Sequence, residues 1–69
     1  MPYTESQFRA CFEVSASLEL IDKEAYDDYL NEWKRKGRHD PRTFFVEVCS
    51  EFLLDLFTDA MNSARSRSK

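Results

Sequence analysis

Apolar side chains recur along the chain at intervals of three and four residues, the spacing of one face of an α-helix. The clearest stripe lies in residues 23–36, within an arc of about 140°, and the opposite face is wholly polar. Its members are Ala25, Tyr26, Tyr29, Leu30 and Trp33. The pattern predicts an amphipathic helix that buries one side.

Two further segments show the same periodicity. Residues 5–18 direct one apolar side inward, formed by Phe8, Cys11, Phe12, Val14 and Leu18. Residues 41–62 are apolar over nearly half of the helix circumference, with Phe45, Val48, Cys49, Phe52, Leu53, Leu56, Phe57 and Ala60 on that side. A helix with so wide an apolar face usually packs against two neighbours, so we expect the third helix to be the central one.

Each predicted helix begins with a recognisable cap. Thr4 and Gln7 form a capping box, Asp22 precedes the second helix, and Asp40-Pro41 combines an N-cap with a proline at the first helical position. Gly37, the only glycine, suits the left-handed residue after the second helix. The sequence therefore predicts an all-α fold, a small three-helix bundle with helices at about 5–18, 23–36 and 41–62.

The boundary between the first two helices is the weakest of these assignments. The segment SASLELID contains neither glycine nor proline, and the apolar face of the first helix continues into that of the second with about 40° of drift. The alternative is one long helix that folds back at Gly37. That two-helix hairpin would have to dimerise into a four-helix bundle to bury its aromatic residues. The Asp22 cap favours the three-helix arrangement.

Length and composition indicate one folded domain, over residues 1–64, with a short basic tail at 65–69. The 69 residues are 42% hydrophobic and include ten aromatics, which excludes a disordered chain. So short a chain leaves few residues for a catalytic cleft once the core is filled. His39 next to Asp40 has no nucleophile in a recognisable setting, so we expect no enzyme.

The cysteines and the apolar segments point to a reducing, aqueous location. Cys11 and Cys49 are 38 positions apart, without a CxxC pair and with a single histidine in the chain, so the spacing of a zinc site is absent. We expect two reduced core cysteines, the alternatives being a disulfide between helices or a redox role. No signal-peptide pattern is present, and acids interrupt the most apolar window. The prediction is a cytoplasmic protein without metal or cofactor.

Charge is distributed in blocks that the net value of −3 conceals. Residues 34–42 hold five basic side chains and one acid, the bases being Lys34, Arg35, Lys36, Arg38 and Arg42. Cations in the last turn of a helix interact with its negative end, which accounts for the first three. Arg38 and Arg42 lie at or near the start of the third helix, where an anion is favoured. The segment is thus a solvated joint between helices or an anion or phosphate contact.

An acidic row at a spacing of four residues adds a second candidate feature: Glu47, Glu51, Asp55 and Asp59. It is either a solvent-exposed helix face or a docking strip for basic groups, those of a partner or the chain's own Arg65, Arg67 and Lys69. The row would repel a nucleic-acid backbone, so nucleic-acid binding by the basic segment is the less favoured function. A dimetal site is not expected, because no Glu-x-x-His pair exists.

The third helix carries apolar side chains on more sides than one small bundle covers. We therefore expect some of its residues to be exposed and to contact a partner or a second copy, together with the interface-prone Trp33. The candidates are Phe44, Val46, Leu54, Phe57 and Met61. The sequence predicts a protein–protein interaction module, acting as a regulator, inhibitor or adaptor and as a homodimer. The alternative is a nucleic-acid-binding regulator that uses the basic segment.

Overall fold

The computed structural model describes residues 3–49 and 53–67, and this part of the chain forms four α-helices and one short 3₁₀ turn. The helices are α1 (Glu5–Ser17), α2 (Tyr26–Arg35), α3 (Pro41–Val48) and α4 (Leu54–Arg67), and the 3₁₀ turn is Lys23–Ala25. No strand occurs in the described ranges. The all-α class is confirmed, whereas the predicted count of three helices is wrong.

The predicted helix starts are confirmed. The Thr4 hydroxyl accepts a hydrogen bond from the Gln7 amide at 3.2 Å while the Gln7 side chain accepts one from the Thr4 amide at 3.0 Å. Asp22 accepts from the Glu24 amide at 2.9 Å, although it caps the 3₁₀ turn rather than an α-helix. Asp40 accepts from the Arg42 amide at 2.9 Å, with Pro41 in the first turn of α3. These short-range bonds fix where each element begins.

The chain between α1 and α2 turns sharply, so the alternative of one long helix is wrong. Glu19 adopts a positive φ of 59°, a left-handed conformation that ends the helix. The Glu19 amide donates to the Ala16 carbonyl and the Leu20 amide to the Ser15 carbonyl, both at 3.0 Å. This is a Schellman motif with glutamate where glycine is usual. A local hydrogen-bond arrangement thus ends α1 without any glycine.

The predicted third helix is two helices. α3 ends at Val48, and Cys49 leaves the helical region at φ −104° and ψ −83°. Two separate helices can each turn one narrower face inward, which a single straight helix with apolar residues on half of its circumference cannot do. α3 buries Phe44 and Phe45, and α4 buries Phe57 and Met61. Phe52, predicted on the apolar face, lies outside the described residues.

The core is built around the ring of Phe8, which is fully buried. Ring centroids of Trp33, Phe45, Phe44 and Tyr26 lie 4.7, 5.0, 5.7 and 5.9 Å from that of Phe8. α1 packs directly against α3 and α4, whereas α2 reaches α1 through its large rings. Aromatic pairs at these distances add to the stability gained from burying their area. α1 is therefore the central helix, the role that the sequence predicted for the third.

A series of hydrogen bonds runs through the packed interior near both cysteines. Ser15 is fully buried, and its hydroxyl donates to the Cys11 carbonyl at 3.3 Å. The Cys11 thiol lies 3.7 Å from the Phe57 carbonyl, and the Cys49 thiol 3.4 Å from the Ser15 hydroxyl. Both cysteines are free thiols. Burial raises the pKa of the Cys11 thiol to about 12, to which the charge of Asp40 adds, so this thiol is an inert core residue.

Candidate interaction surface

The structure places most of the predicted interface residues inside the protein. Trp33, Phe44, Phe57 and Met61 are buried, so the exposed part of the predicted set does not include these four. The division of the third helix lets α3 and α4 turn Phe44, Phe57 and Met61 toward Phe8 and its neighbours. Trp33 lies on the inward side of α2. Val46 is half-buried and packs against the core. Only Leu54 of the predicted set is largely exposed, at 45%.

Besides Leu54, aliphatic residues are exposed at four places that the sequence did not single out as an interface. The large ones among the described residues are Leu18, Leu20, Val48, Leu54 and Leu56. Leu54 and Leu56 are two positions apart on α4, which is about 200° around a helix. They therefore lie on opposite flanks of the buried face that contains Phe57. The exposed leucines of α4 belong to two separate surfaces.

Leu56 lies on an open groove between α1 and α4, which we call the α1–α4 groove. Its volume is about 470 Å³, and Val14 of α1 and Leu56 of α4 are its larger apolar side chains. Four small residues line the rest of the apolar and neutral surface: Ala10, Ser17, Ala60 and Ser63. Small side chains on both helices leave the space that a larger pair would fill. The size of the groove thus follows from the small residues in the sequences of α1 and α4.

The charges of the groove are all of one sign. Glu13 and Asp59 line it, one from each helix, and both are exposed. Among the described residues along the groove there is no lysine, arginine or histidine. An apolar trough with carboxylates on both sides suits a ligand that combines apolar and cationic groups. The neutral polar groups of the groove are the hydroxyls of Ser17 and Ser63.

The basic segment has a different character, because its cations already have partners in the chain. The Arg42 guanidinium donates to both oxygens of Asp40, with the shortest contact at 2.6 Å, and to the Thr58 hydroxyl at 3.3 Å. The bonds from Arg42 hold the pKa of the Asp40 carboxyl below its usual value. Asp40 therefore occupies the N-terminus of α3, the position where an external anion was expected.

Arg38 is bound to the N-terminal segment. Its guanidinium donates to the Tyr3 carbonyl at 3.1 Å, and the Tyr3 amide donates to the Arg38 carbonyl at 3.3 Å. The same guanidinium lies 5.7 Å from the centre of the Trp33 ring. Gly37, with φ 97°, and Arg38, with φ 56°, both adopt the left-handed conformation, which confirms Gly37 as the residue past the helix end. Arg38 thus covers the indole of Trp33 and holds the N-terminal segment against the turn after α2.

The three cations at the end of α2 pair with acids nearby. Lys34 lies 3.9 Å from Glu5, Arg35 contacts Glu32, and Lys36 lies 3.8 Å from the other Glu32 oxygen. Exposed pairs of this kind contribute about 0–1 kcal/mol each. They reduce the positive potential that the segment presents. The predicted anion contact therefore has no unpaired cation in this geometry.

The remaining candidate features are the acidic row, a metal site and a membrane-spanning helix. Glu47 belongs to α3 while Asp55 and Asp59 belong to α4, so an acidic row on one helix is wrong; Glu51 lies outside the described residues. Within residues 3–49 and 53–67, no group of three metal-ligating side chains comes together. No helix there is both long and apolar enough to cross a bilayer.

Comparisons of the chain with known protein families, curated proteins and solved structures found no match. Any function must therefore be inferred from the residues of this chain. The sequence reasoning missed the α1–α4 groove because it placed Val14 and Leu56 on inward faces. The available signal was the set of small residues on α1 and α4, which sets how much space the two packed helices leave between them.

Proposed function

We propose that the protein is a small helical protein–protein interaction module that acts as a regulator, inhibitor or adaptor. Its contact surface is the α1–α4 groove, with the exposed flank of α4 around Leu54 as a second contact. The module contributes a preformed surface and no chemistry. Its site of action is cytoplasmic in this proposal, because two free thiols suit a reducing compartment.

The observation that carries the proposal is the position of Leu56. Its side chain is 46% exposed beside the groove, whereas its neighbour Phe57 is fully buried. Fully burying a leucine is worth about 1.5–3 kcal/mol, so a partner that covers Leu56 gains part of that energy. Leu56 also lies next to Val14 and two alanines rather than alone. Grouped apolar surface of this kind marks interaction sites.

Self-association is the form of this proposal that needs no second protein. The sequence favours a homodimer because the predicted third helix carries apolar side chains on more sides than one small bundle covers. Within one chain, Phe44, Phe57 and Met61 are already covered, so the surface left for a homodimer is smaller than expected. A homodimer would have to use Leu54 or Leu56.

The test compares solution mass and peptide binding in matched variants. Leu54→Glu and Leu56→Glu each place a charge on one flank of α4. Leu20→Glu is the control, because Leu20 is equally exposed, at 47%, but lies in the turn after α1. Light scattering over a tenfold range of concentration gives the association state relative to the 8.2 kDa chain. Retention on immobilised amphipathic helical peptides, cationic and anionic, reports binding.

We expect Leu56→Glu to reduce binding or self-association while Leu20→Glu does not. If neither Leu54→Glu nor Leu56→Glu changes mass or peptide retention, the interaction module is wrong. A stable dimer that only Leu54→Glu disrupts would support self-association through the other flank of α4.

Nucleic-acid binding by the basic segment is the second candidate. The observation in its favour is that surface ion pairs such as Lys36–Glu32 are weak, so phosphates can replace the acids. It predicts binding that falls steeply as salt rises and is lost in Arg38→Glu. Unchanged mobility of duplex and single-stranded probes at low salt would exclude it.

A further inference from the structure

We infer that the α1–α4 groove binds a basic amphipathic α-helix of another protein. The inference rests on the proposed function and specifies the chemistry of the partner. The partner helix places apolar side chains against Val14 and Leu56, and lysines or arginines beside Glu13 and Asp59. A second copy of this chain does not meet those requirements.

The shape of the groove fits a helix. Two helices that pack side by side leave a trough along their line of contact, and a third helix can lie in it with its apolar face inward. Small residues on both sides, such as Ala10 and Ala60, let a partner backbone approach closely. Val14 on one helix and Leu56 on the other both line the groove. Anchors spaced by three and four residues on the partner would reach both.

The carboxylates of the groove favour a positively charged partner. Glu13 and Asp59 come from opposite sides, and the described residues along the groove supply no cation to neutralise them. Covering carboxylates without a counter-charge removes their hydration and is unfavourable. A partner with lysine or arginine at the edges of its apolar face supplies that charge. The net charge of −3 also favours the approach of a cationic partner.

The same charges argue against a second copy as the occupant. A symmetric contact at this groove would bring together two carboxylates from each chain. The chain's own cationic segment at 34–42 is already paired with Glu5, Glu32 and Asp40, and the apolar side of α2 is turned toward the core. Along α1, α2, α3 and residues 54–64 of α4, no helix combines an exposed apolar face with unpaired cations at its edges.

The experiment uses two synthetic peptides as probes. Both are about 15 residues long, the length at which an isolated helix begins to be stable. Both carry leucines at the same i, i+3 and i+4 positions. One has lysines at the remaining positions and the other has glutamates. Fluorescence anisotropy at about 0.15 M salt measures binding of each peptide to the full chain. We expect the lysine peptide to bind and the glutamate peptide not to bind.

Matched variants separate binding in the groove from general charge attraction. Leu56→Glu adds a negative charge and removes the apolar contact, and we expect it to weaken the lysine peptide about tenfold or more. Leu20→Glu adds the same charge in the turn after α1 and should leave binding unchanged or slightly stronger. Emission of the buried Trp33 and circular dichroism verify the fold of each variant. Binding that Leu56→Glu leaves unchanged or strengthens would overturn the inference.

A charge reversal tests the sign of the partner separately. The double variant Glu13→Lys with Asp59→Lys should exchange the preference, binding the glutamate peptide over the lysine peptide. If the unaltered chain binds the glutamate peptide in a manner that Leu56→Glu abolishes, the basic partner is wrong and the interaction module stands. If neither peptide responds to Leu56→Glu, the inference is overturned. The interaction module is overturned with it only if Leu54→Glu also changes neither the solution mass nor peptide retention.

Discussion

The indole Nε1 of Trp33 donates a hydrogen bond to the backbone carbonyl of His39 at 2.6 Å. This bond joins the last turn of α2 to the residue that precedes the cap of α3. The guanidinium of Arg38 covers the same indole from outside. The basic segment between α2 and α3 is therefore organised around a buried ring, and its glycine and cations are explained by the joint itself.

Replacing Trp33 tests this joint. Trp33→Phe keeps an aromatic ring against Phe8 but removes the donor to His39 and part of the core volume. We expect the free energy of unfolding to fall by about 1–3 kcal/mol. Urea unfolding followed by circular dichroism measures it. Tyr29→Phe, a change at a half-buried ring of the same helix, is the control and should stay within about 0.5 kcal/mol. Equal stability in Trp33→Phe would show that the bond contributes nothing.

The cap at Asp40 should matter both through its position and through its charge. Asp40→Ala removes the acceptor for the Arg42 amide, and we expect a loss of about 1–2 kcal/mol. Asp40→Asn keeps a capping side chain and removes only the charge, so its loss should be smaller. Thermal or urea unfolding of the three proteins at neutral pH gives the comparison. A loss in Asp40→Asn as large as that in Asp40→Ala would contradict the separate contribution of the cap.

The pH dependence follows from the lowered pKa of Asp40, which the bonds from Arg42 cause. A carboxyl with a lower pKa in the folded state stabilises the fold above its ordinary value of 3.8, and this contribution is lost as pH falls through the folded value. The stability difference between the unaltered protein and Asp40→Asn should be constant near neutrality and shrink below about pH 4. A difference that grows on acidification would contradict this sign.

Glu19 offers a stabilising change. Its φ of 59° is costly for a residue with a Cβ and free of that cost for glycine. Glu19→Gly should therefore raise the free energy of unfolding by up to about 1 kcal/mol, the larger flexibility of the unfolded chain offsetting part of the gain. Asn31→Gly, in the interior of α2, is the control and should lower it by a similar amount. A destabilised Glu19→Gly would mean that the turn does not adopt this conformation in solution.

The two thiols should react very differently. Cys11 is fully buried with its pKa raised to about 12, whereas Cys49 is half-buried. At pH 8 the Cys11 thiol therefore stays protonated, and a protonated thiol is a poor nucleophile. We expect alkylation of the folded protein to modify Cys49 first and Cys11 only after denaturant is added. Mass spectrometry of tryptic fragments identifies the modified residue. Prompt modification of Cys11 would contradict its burial.

The features that the sequence predicted correctly are the local ones. Caps at Thr4, Asp22 and Asp40 and the turn at Gly37 depend on residues within a few positions of one another, so their chemistry is visible in the sequence. The division of the third helix was not visible, since no glycine or proline lies between Pro41 and Arg67. It reflects the tertiary requirement that Phe45 and Phe57 both reach Phe8 and its neighbours.

The α1–α4 groove could not be predicted from the sequence either, because it also depends on tertiary packing. Whether Leu56 is buried or exposed depends on how α4 packs against α1, which periodicity alone does not determine. The contacts of Arg38 with Tyr3 and of Arg42 with Thr58 were also hidden, because these partners are distant in sequence. Of the two alternatives for the basic segment, these contacts favour the structural joint over the anion contact, and the burial of Phe57 and Met61 moves the candidate interface to another face.

The measurement that tests the central claim most directly is a ¹H–¹⁵N correlation titration of the labelled protein with the lysine–leucine peptide. We expect the amides of Glu13, Val14, Leu56, Asp59 and Ala60 to shift together and those of residues 34–42 to stay in place. Shifts centred on residues 34–42, or shifts scattered over the surface without the groove, would contradict the α1–α4 groove as the binding surface.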